Sequence, residues 1–400
     1  MPGFSARLGR VPMAATIAMN QKARALRAAG IDVLSLAIGE PDFATPPEAI
    51  EAAHQAALGG ETKYPPIDGT LRLKEAIRRK FRRDSGLDYA LDEIMVANGG
   101  KQVIYNAIMA TVDDGDEVVI PAPYWSAYVL ITQLAGGAPI FVNCPQNNGF
   151  RLRPEDLDAA ITPRTRWLVL NFPNNPTGAA CSRAEMRALG AVMLRHPQVW
   201  IMCDDMYEHL IYDDFDYLTM AAAAAGLRDR TLTISGASKT YAMTGWRVGF
   251  GGGPRELIRA MVNMQSQATS GVSTVGQAAA AAALDGSQDA VAERAAIYRR
   301  RRDLVVEALN AAPGLTCHRP DGAFFVYPNV AGCLGRTTAG GRDLATDEDF
   351  ALALLEEQHV AVVHGGAFGM SPYVRISYAT SEETLAEACR RIAAFCAELH

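Results

Sequence analysis

The segment SGASKTYAMTGWRVGF (235–250) sets one amine, Lys239, and one guanidinium, Arg247, among small and apolar residues. A strand followed by a solvated turn would give this pattern. So would a reactive site. A desolvated lysine falls below its ordinary pKa of about 10.4, and the free amine can form an imine with a carbonyl compound. A guanidinium beside it can hold a phosphate.

Other residues with chemical capacity follow apolar, strand-like runs. After EIMVAN comes GGKQ, with Gly99, Gly100 and Lys101 opening a helix. Glycines admit a phosphate close to backbone N–H groups, and a helix N-terminus adds partial positive charge; a plain turn is the alternative. After DEVVIPA, Trp125 offers a flat apolar face, or simply core packing. After RWLVLNF, the constrained turn PNNPTG fixes the amide of Asn175. After VWIMC stand Asp204 and, three residues on, Tyr207. A carboxylate at the end of a buried run is costly unless a cation meets it, from a ligand or from the protein. Ser238 precedes Lys239. In YVRISY, Arg375 lies between apolar residues, where a guanidinium calls for a carboxylate, from a substrate or from a structural ion pair. An amine nucleophile, a phosphate cradle, an aromatic plate, an acid, polar donors and a carboxylate clamp are together the requirements of pyridoxal phosphate with an amino acid substrate. Nucleotide motifs fit less well: GFGGGP (249–254) does not spell GxGxxG, and no GxxxxGK[ST] occurs.

The elements that must position these residues are visible as well. Six apolar runs, at 93–98, 116–122, 138–143, 166–172, 199–205 and 232–237, are mostly continuous rather than alternating, as in strands covered on both faces. Helical spacing between them, as at Ser182–Arg195, predicts an α/β fold with a mainly parallel sheet, whose ligands gather at the carboxyl ends of the strands. From about Ala292 a long helix leads into a smaller α+β region, with a helix at about Thr346–Gln358. The glycine-rich stretch 331–349 reads as a mobile surface loop. The basic run RRKFRRD (78–84) reads as a solvated helix face.

The chain has 400 residues, 49% hydrophobic and 20% charged, enough for a large core. Its net charge of −6 gives no reason to expect nucleic acid or an anionic membrane as partner. No apolar run is long enough for a membrane span, and the first residues lack a signal-peptide pattern. Seven scattered cysteines without a CxxC pair fit a reducing cytoplasm, with no metal site expected.

The motifs SLAIGEPDF, TKYPPIDGTLRLKEAI, NGGKQ, PAPYW, PNNPTG, CDDMYEHLIY, SKTYAMTGWRVG, GAFFVYP and VRISYA occur in this order through the chain. In this the sequence resembles the class I aminotransferases of pyridoxal-phosphate fold type I, and most nearly their bacterial aspartate aminotransferase branch. The resemblance implies a large domain (47–291) with a seven-stranded sheet. It also implies a small domain from both chain ends (1–46 and 292–400) and a homodimer with shared active sites. It implies Lys239 as the lysine that bonds the cofactor and moves the proton, and Asp204 as the acid at the pyridine nitrogen. Asn175 and Tyr207 become donors to the ring hydroxyl, and Trp125 the stacking aromatic. Gly99, Gly100, Lys101, Ser238 and Arg247 fall in the phosphate region, joined by Tyr64 from a neighbouring subunit. Arg375, Asn175 and Gly39 match the α-carboxylate clamp. Lys101 and Thr16 match binders of a substrate's second carboxylate, whereas Ala14 stands where relatives often carry serine. The implied reaction is ping-pong transamination between L-aspartate and 2-oxoglutarate. An aromatic, kynurenine or broad-specificity transaminase is the alternative, and a lyase a more distant one.

Overall fold

The computed structural model describes residues 3–11 and 15–400. Among them are twelve strands: β1 (Leu34–Ser35), β2 (Ile94–Ala97), β3 (Glu117–Ala122), β4 (Ala138–Asn143), β5 (Thr165–Leu170), β6 (Trp200–Asp204), β7 (Thr231–Gly236), β8 (Gly249–Gly252), β9 (Phe325–Val326), β10 (Val360–Ala361), β11 (Val363–His364) and β12 (Val374–Ser377). Seven form one sheet in the order β2-β8-β7-β6-β5-β3-β4. β8 runs antiparallel to both neighbours, and the other pairings are parallel. The fold is α/β, with a mainly parallel sheet between helices.

The central strands read as continuous apolar runs because they feed two cores. Trp167, Val169 and Met202 enter one cluster with helices Gly100–Thr111 and Arg255–Ala268. Leu168, Leu170, Ile201 and Cys203 enter another with helix Arg183–Arg195 on the opposite face. That helix starts where its sequence says: the Ser182 hydroxyl accepts from the Glu185 N–H, and the Glu185 carboxylate accepts from the Ser182 N–H at 2.8 Å. β4 departs from the expectation of two covered faces. It is an edge strand, and Phe141 is half exposed.

β8 has a composition that strands usually avoid. Its glycines serve close packing: a Cβ on Gly252 would stand 2.6 Å from Tyr89 Cε2, and one on Gly251 3.0 Å from Val103 Cγ1. GFGG is thus a buried strand.

The long helix, Asp289–Ala311, leads to the second region. There β11, β12 and β9 form an antiparallel sheet, while β1, near the chain start, pairs parallel with β10. Val33, Leu36 and Ala37 join Phe350, Val360 and Val363 in one core, so both parts of the chain build it.

Two readings are corrected. The stretch 331–349 is pinned: Thr337 exchanges backbone hydrogen bonds with His400, Gly335 and Arg336 pair with Leu344, and Cys333, Thr338 and Leu344 are buried. The run 78–84 lies in helix Leu71–Ser85 but is only partly solvated, because Lys80 and Phe81 face inward.

Gly252→Ala retains an accessible backbone conformation but forces a methyl into Tyr89 and Phe81. We expect a loss of about 1–3 kcal/mol, read as a lower urea midpoint.

Candidate active site

The carboxyl ends of the parallel strands open onto a cavity of about 340 Å³. Twelve of the residues singled out from the sequence line it: Thr16, Gly39, Gly100, Lys101, Trp125, Asn175, Asp204, Tyr207, Ser238, Lys239, Arg247 and Arg375. Gly99 lies directly behind, where a Cβ would stand 2.5 Å from Arg247 Nη2. Tyr64 is not brought to the cavity of its own chain; it is 97% exposed. Ala14 lies outside the described residues.

Asp204 ends β6 and is buried. The Tyr128 hydroxyl donates to its Oδ2 at 2.7 Å, and the Met206 N–H to its Oδ1 at 3.3 Å. Burial pushes this carboxyl up to about 6; the Tyr128 and Met206 hydrogen bonds and the Lys239 charge pull the other way. No cation pairs with it directly among the described residues.

Lys239 sits in the short helix Ala237–Thr240 after β7. Its Nζ donates to the Gly39 carbonyl at 2.6 Å. Burial brings the ammonium down to about 8, helped by Arg375 and Arg247 and opposed by Glu40 and Asp204. A useful fraction of free amine therefore exists near neutral pH.

Arg375 comes from β12, in the second region. It is buried, with Nη1 donating to Asn175 Oδ1 at 3.0 Å and Nη2 to the Ala37 carbonyl at 2.6 Å. Phe325 and Phe368 cover its faces, at 4.7 and 4.8 Å from their ring centroids. Its Nε has no partner, and no carboxylate pairs with it among the described residues. Burial lowers this guanidinium to about 10. The structural ion pair that the sequence left open is thus not made.

The polar floor is built by side chains. The Asn171 amide donates to the Asp204 carbonyl at 2.9 Å and accepts from the Asn175 N–H at 2.9 Å, which fixes the PNNPTG turn against β6. At the other end, helix Gly100–Thr111 points its N-terminus into the cavity beside Arg247, which is held in a left-handed conformation with φ 56°. A Cβ on Gly249 would collide with the Gly99–Gly100 backbone. Lys101 is open to solvent overall, but its Nζ lies 4.8 Å from the Trp125 ring centroid. Partial burial, then the charge of Arg247, draws its pKa down.

The sequence pattern described as aminotransferase class I and II matches residues 31–392. An aspartate/prephenate aminotransferase of Cereibacter sphaeroides is 56% identical over 399 residues, with both chains fully covered. The chain belongs to this family of aminotransferases. The solved aspartate aminotransferase of Rhizobium meliloti superposes with a TM-score of 0.97 at 52% identity over the whole of both chains. That of Thermus thermophilus, determined with maleate, gives 0.91 at 40% identity, covering 99% of this chain and 100% of its own.

Sequence reasoning passed over three parts of this aminotransferase's site. Tyr128 lies one helical turn from Trp125, among apolar residues, and only the fold shows that its hydroxyl meets Asp204. Asn171 was legible as a polar residue closing an apolar strand. Asn20, one turn after Thr16, also lines the cavity.

The folded pKa of Asp204 lies above the unfolded one, so its ionisation costs stability above pH 6, and the cost disappears as pH falls below the unfolded value. We expect Asp204→Asn to stabilise the cofactor-free protein by about 1–3 kcal/mol at pH 8. The advantage should shrink as pH falls through 6 towards 4, measured by denaturant titration at each pH.

Proposed function

We propose that this aminotransferase uses pyridoxal 5′-phosphate to move the amino group of L-aspartate to 2-oxoglutarate in a ping-pong cycle. The observation that carries the reading is Arg375: a buried guanidinium with an unpartnered Nε and, among the described residues, no carboxylate, in one cavity with Lys239 and Asp204.

The residues present fit the cofactor. The Gly99–Gly100 turn, Ser238 and Arg247 would hold its phosphate, at a helix N-terminus where side chains larger than glycine would clash. Asp204 would face the ring nitrogen, Asn175 and Tyr207 the ring hydroxyl, and Trp125 the ring face. Tyr64, exposed here, would reach the phosphate from a second copy of the chain in a homodimer. When bound, the cofactor supplies an aldehyde that bonds to amines and a ring that accepts the electron pair left at Cα.

The chain's own residues do the rest. Asp204 holds a proton at the ring nitrogen, aided by the Tyr128 hydroxyl. Lys239, its ammonium lowered to about 8, would hold the cofactor's aldehyde and, as a free amine, would take the proton from Cα. Arg375 and Asn175 fix the α-carboxylate, which sets the Cα–H bond for cleavage in preference to the carboxylate. The segment Ala37–Gly39 lines the cavity on the side of the second region.

Specificity for a dicarboxylic substrate rests on Lys101, whose ammonium has no carboxylate partner among the described residues, and on Thr16. The Thermus relative's maleate is a dicarboxylate, and the relatives' names carry aspartate and, in several cases, prephenate, an oxo acid with a second carboxylate. Prephenate is therefore a second acceptor to test. We also place the domain division at 1–46, 47–291 and 292–400, and the enzyme in the cytoplasm, in keeping with seven free cysteines.

Borohydride reduction of the loaded protein should fix a cofactor-mass tag on Lys239, read by peptide mass spectrometry; a tag elsewhere, or none, overturns the cofactor assignment. A donor–acceptor panel should favour aspartate. Pyruvate and ammonia formed without an acceptor would mark a lyase instead. Lys101→Ala should lower kcat/KM for aspartate about 10–100-fold and for aromatic donors much less. An equal loss for both would refute the dicarboxylate role.

A further inference from the structure

Beneath the site lies a second set of buried charges that none of these roles uses. Lys80, on helix Leu71–Ser85, has a side chain only 2% exposed, and its ammonium pairs with Glu208 Oε1. The Ser235 hydroxyl donates to the same carboxylate oxygen at 2.7 Å. Glu208 follows Tyr207 directly, and Ser235 stands four residues before Lys239. One carboxylate thus joins a helix, the turn that carries Tyr207 and the strand end that carries Lys239.

The place of this junction matters. β6 and β7 pair in register up to Asp204 and Ile234, and the Asp205 N–H to the Ile234 carbonyl, at 2.9 Å, is their last backbone bond. Beyond it the two segments part. Among the described residues, the Ser235–Glu208 bond is the one side-chain hydrogen bond that still joins them. The groups around the Lys80–Glu208 pair are Asp84, which faces the ammonium from the same helix, and Asp205, Tyr217 and Tyr241, which face the carboxylate. Phe81 covers the ammonium at 4.9 Å. A buried pair of this kind adds little net stability over an apolar pair, so what it contributes is a fixed geometry.

We propose that Glu208, anchored by Lys80, is a positioning residue that holds the turn bearing Asp204 and Tyr207 against the strand end bearing Lys239. This rests on the assignment of Lys239 and Asp204 given above. The clamp sits on the far side of the turn from the cavity, and Glu208 does not line it. Its effect on catalysis passes through backbone position alone. A displacement of about 1 Å at reacting groups can cost up to about 100-fold in rate.

The test uses Glu208→Ala and, as a milder change that leaves the ion pair intact, Ser235→Ala. In cofactor-free protein, the pH midpoint of Lys239 acylation by acetic anhydride is followed by peptide mass spectrometry. The wild-type midpoint is expected at about 8. Loosening the strand end admits water to Lys239, so the midpoint should rise by about 0.5 or more in Glu208→Ala and by less in Ser235→Ala. Loss of a distant negative charge without movement would lower it instead. In loaded enzyme, kcat should fall about 10–100-fold in Glu208→Ala with KM for the donor nearly unchanged, because the Arg375 clamp is untouched. If Glu208→Ala does not fold, Ser235→Ala carries both readouts. A midpoint that stays or falls in the folded variants, or a loss confined to KM, overturns the proposal. Absence of the borohydride tag in wild-type protein would overturn the cofactor assignment and leave the midpoint comparison decisive for the clamp.

Discussion

A carboxylate enclosed at the end of β6, met by one phenol and one backbone amide but, among the described residues, by no paired cation, is the constraint around which this molecule is arranged. Burying such a group is unfavourable, and a chain selected for stability alone would replace it. The same holds for the guanidinium of Arg375, stacked between two phenylalanine rings with no carboxylate beside it among the described residues. Both persist because the surrounding structure over-determines them. Asp204 is fixed by the strand ladder below it and by Asn171 gripping its carbonyl, and Arg375 by β12, the Asn175 side-chain oxygen and the Ala37 carbonyl. Groups kept in unfavourable surroundings by a rigid frame are prepared for a ligand that relieves them.

The frame has two parts that meet at the cavity. The parallel sheet supplies Asp204, Asn175 and Lys239; the smaller sheets and the segment after β1 supply Arg375 and Gly39. Their relative placement is secured by the long helix Asp289–Ala311. Arg301 on it forms a two-point ion pair with Asp42, at 2.8 and 2.9 Å, and Arg294 donates to the Ala44 carbonyl at 2.9 Å. The segment that leads from β1 across the cavity is therefore tied to the helix that carries the second region. The Lys239–Gly39 hydrogen bond spans the same gap from the other side.

Much of this was legible in the sequence, for identifiable reasons. Continuous apolar runs marked the central strands because each successive residue enters one of two cores. The functional side chains fell just past those runs because parallel strands present their carboxyl ends together. What could not be read was contact across elements. Tyr128 is one aromatic among many until the fold sets its hydroxyl on Asp204. β8 hid behind glycines whose purpose is room for Tyr89 and the Gly99–Gly100 turn. Lys80 sat in a run of basic residues that looked solvated, and helical phase alone could not reveal a carboxylate 128 positions away waiting for it. The stretch 331–349 looked mobile from its glycines, but its backbone hydrogen bonds go to its own residues, as between Gly335 and Leu344, and to His400.

Charge across the cavity argues for the kind of substrate. Its lining holds four cationic side chains, Lys101, Lys239, Arg247 and Arg375, against one carboxylate, Asp204, within a chain whose net charge is −6. A local excess of positive charge inside low-dielectric walls attracts anions and resists burial of neutral groups in their place. On the proposed reading, a phosphate of about −1.5 to −2 would answer Arg247 and the helix N-terminus. One α-carboxylate would answer Arg375. With Lys239 taken by the cofactor, Lys101 is the cation that a second substrate carboxylate would meet. A monocarboxylic aromatic donor could stack on the cavity's apolar surfaces but would bring that ammonium no counter-charge. The proposed reading thus gives Lys101 two parts: its side chain would serve the substrate while its backbone, in the first turn of helix Gly100–Thr111, would serve the phosphate end.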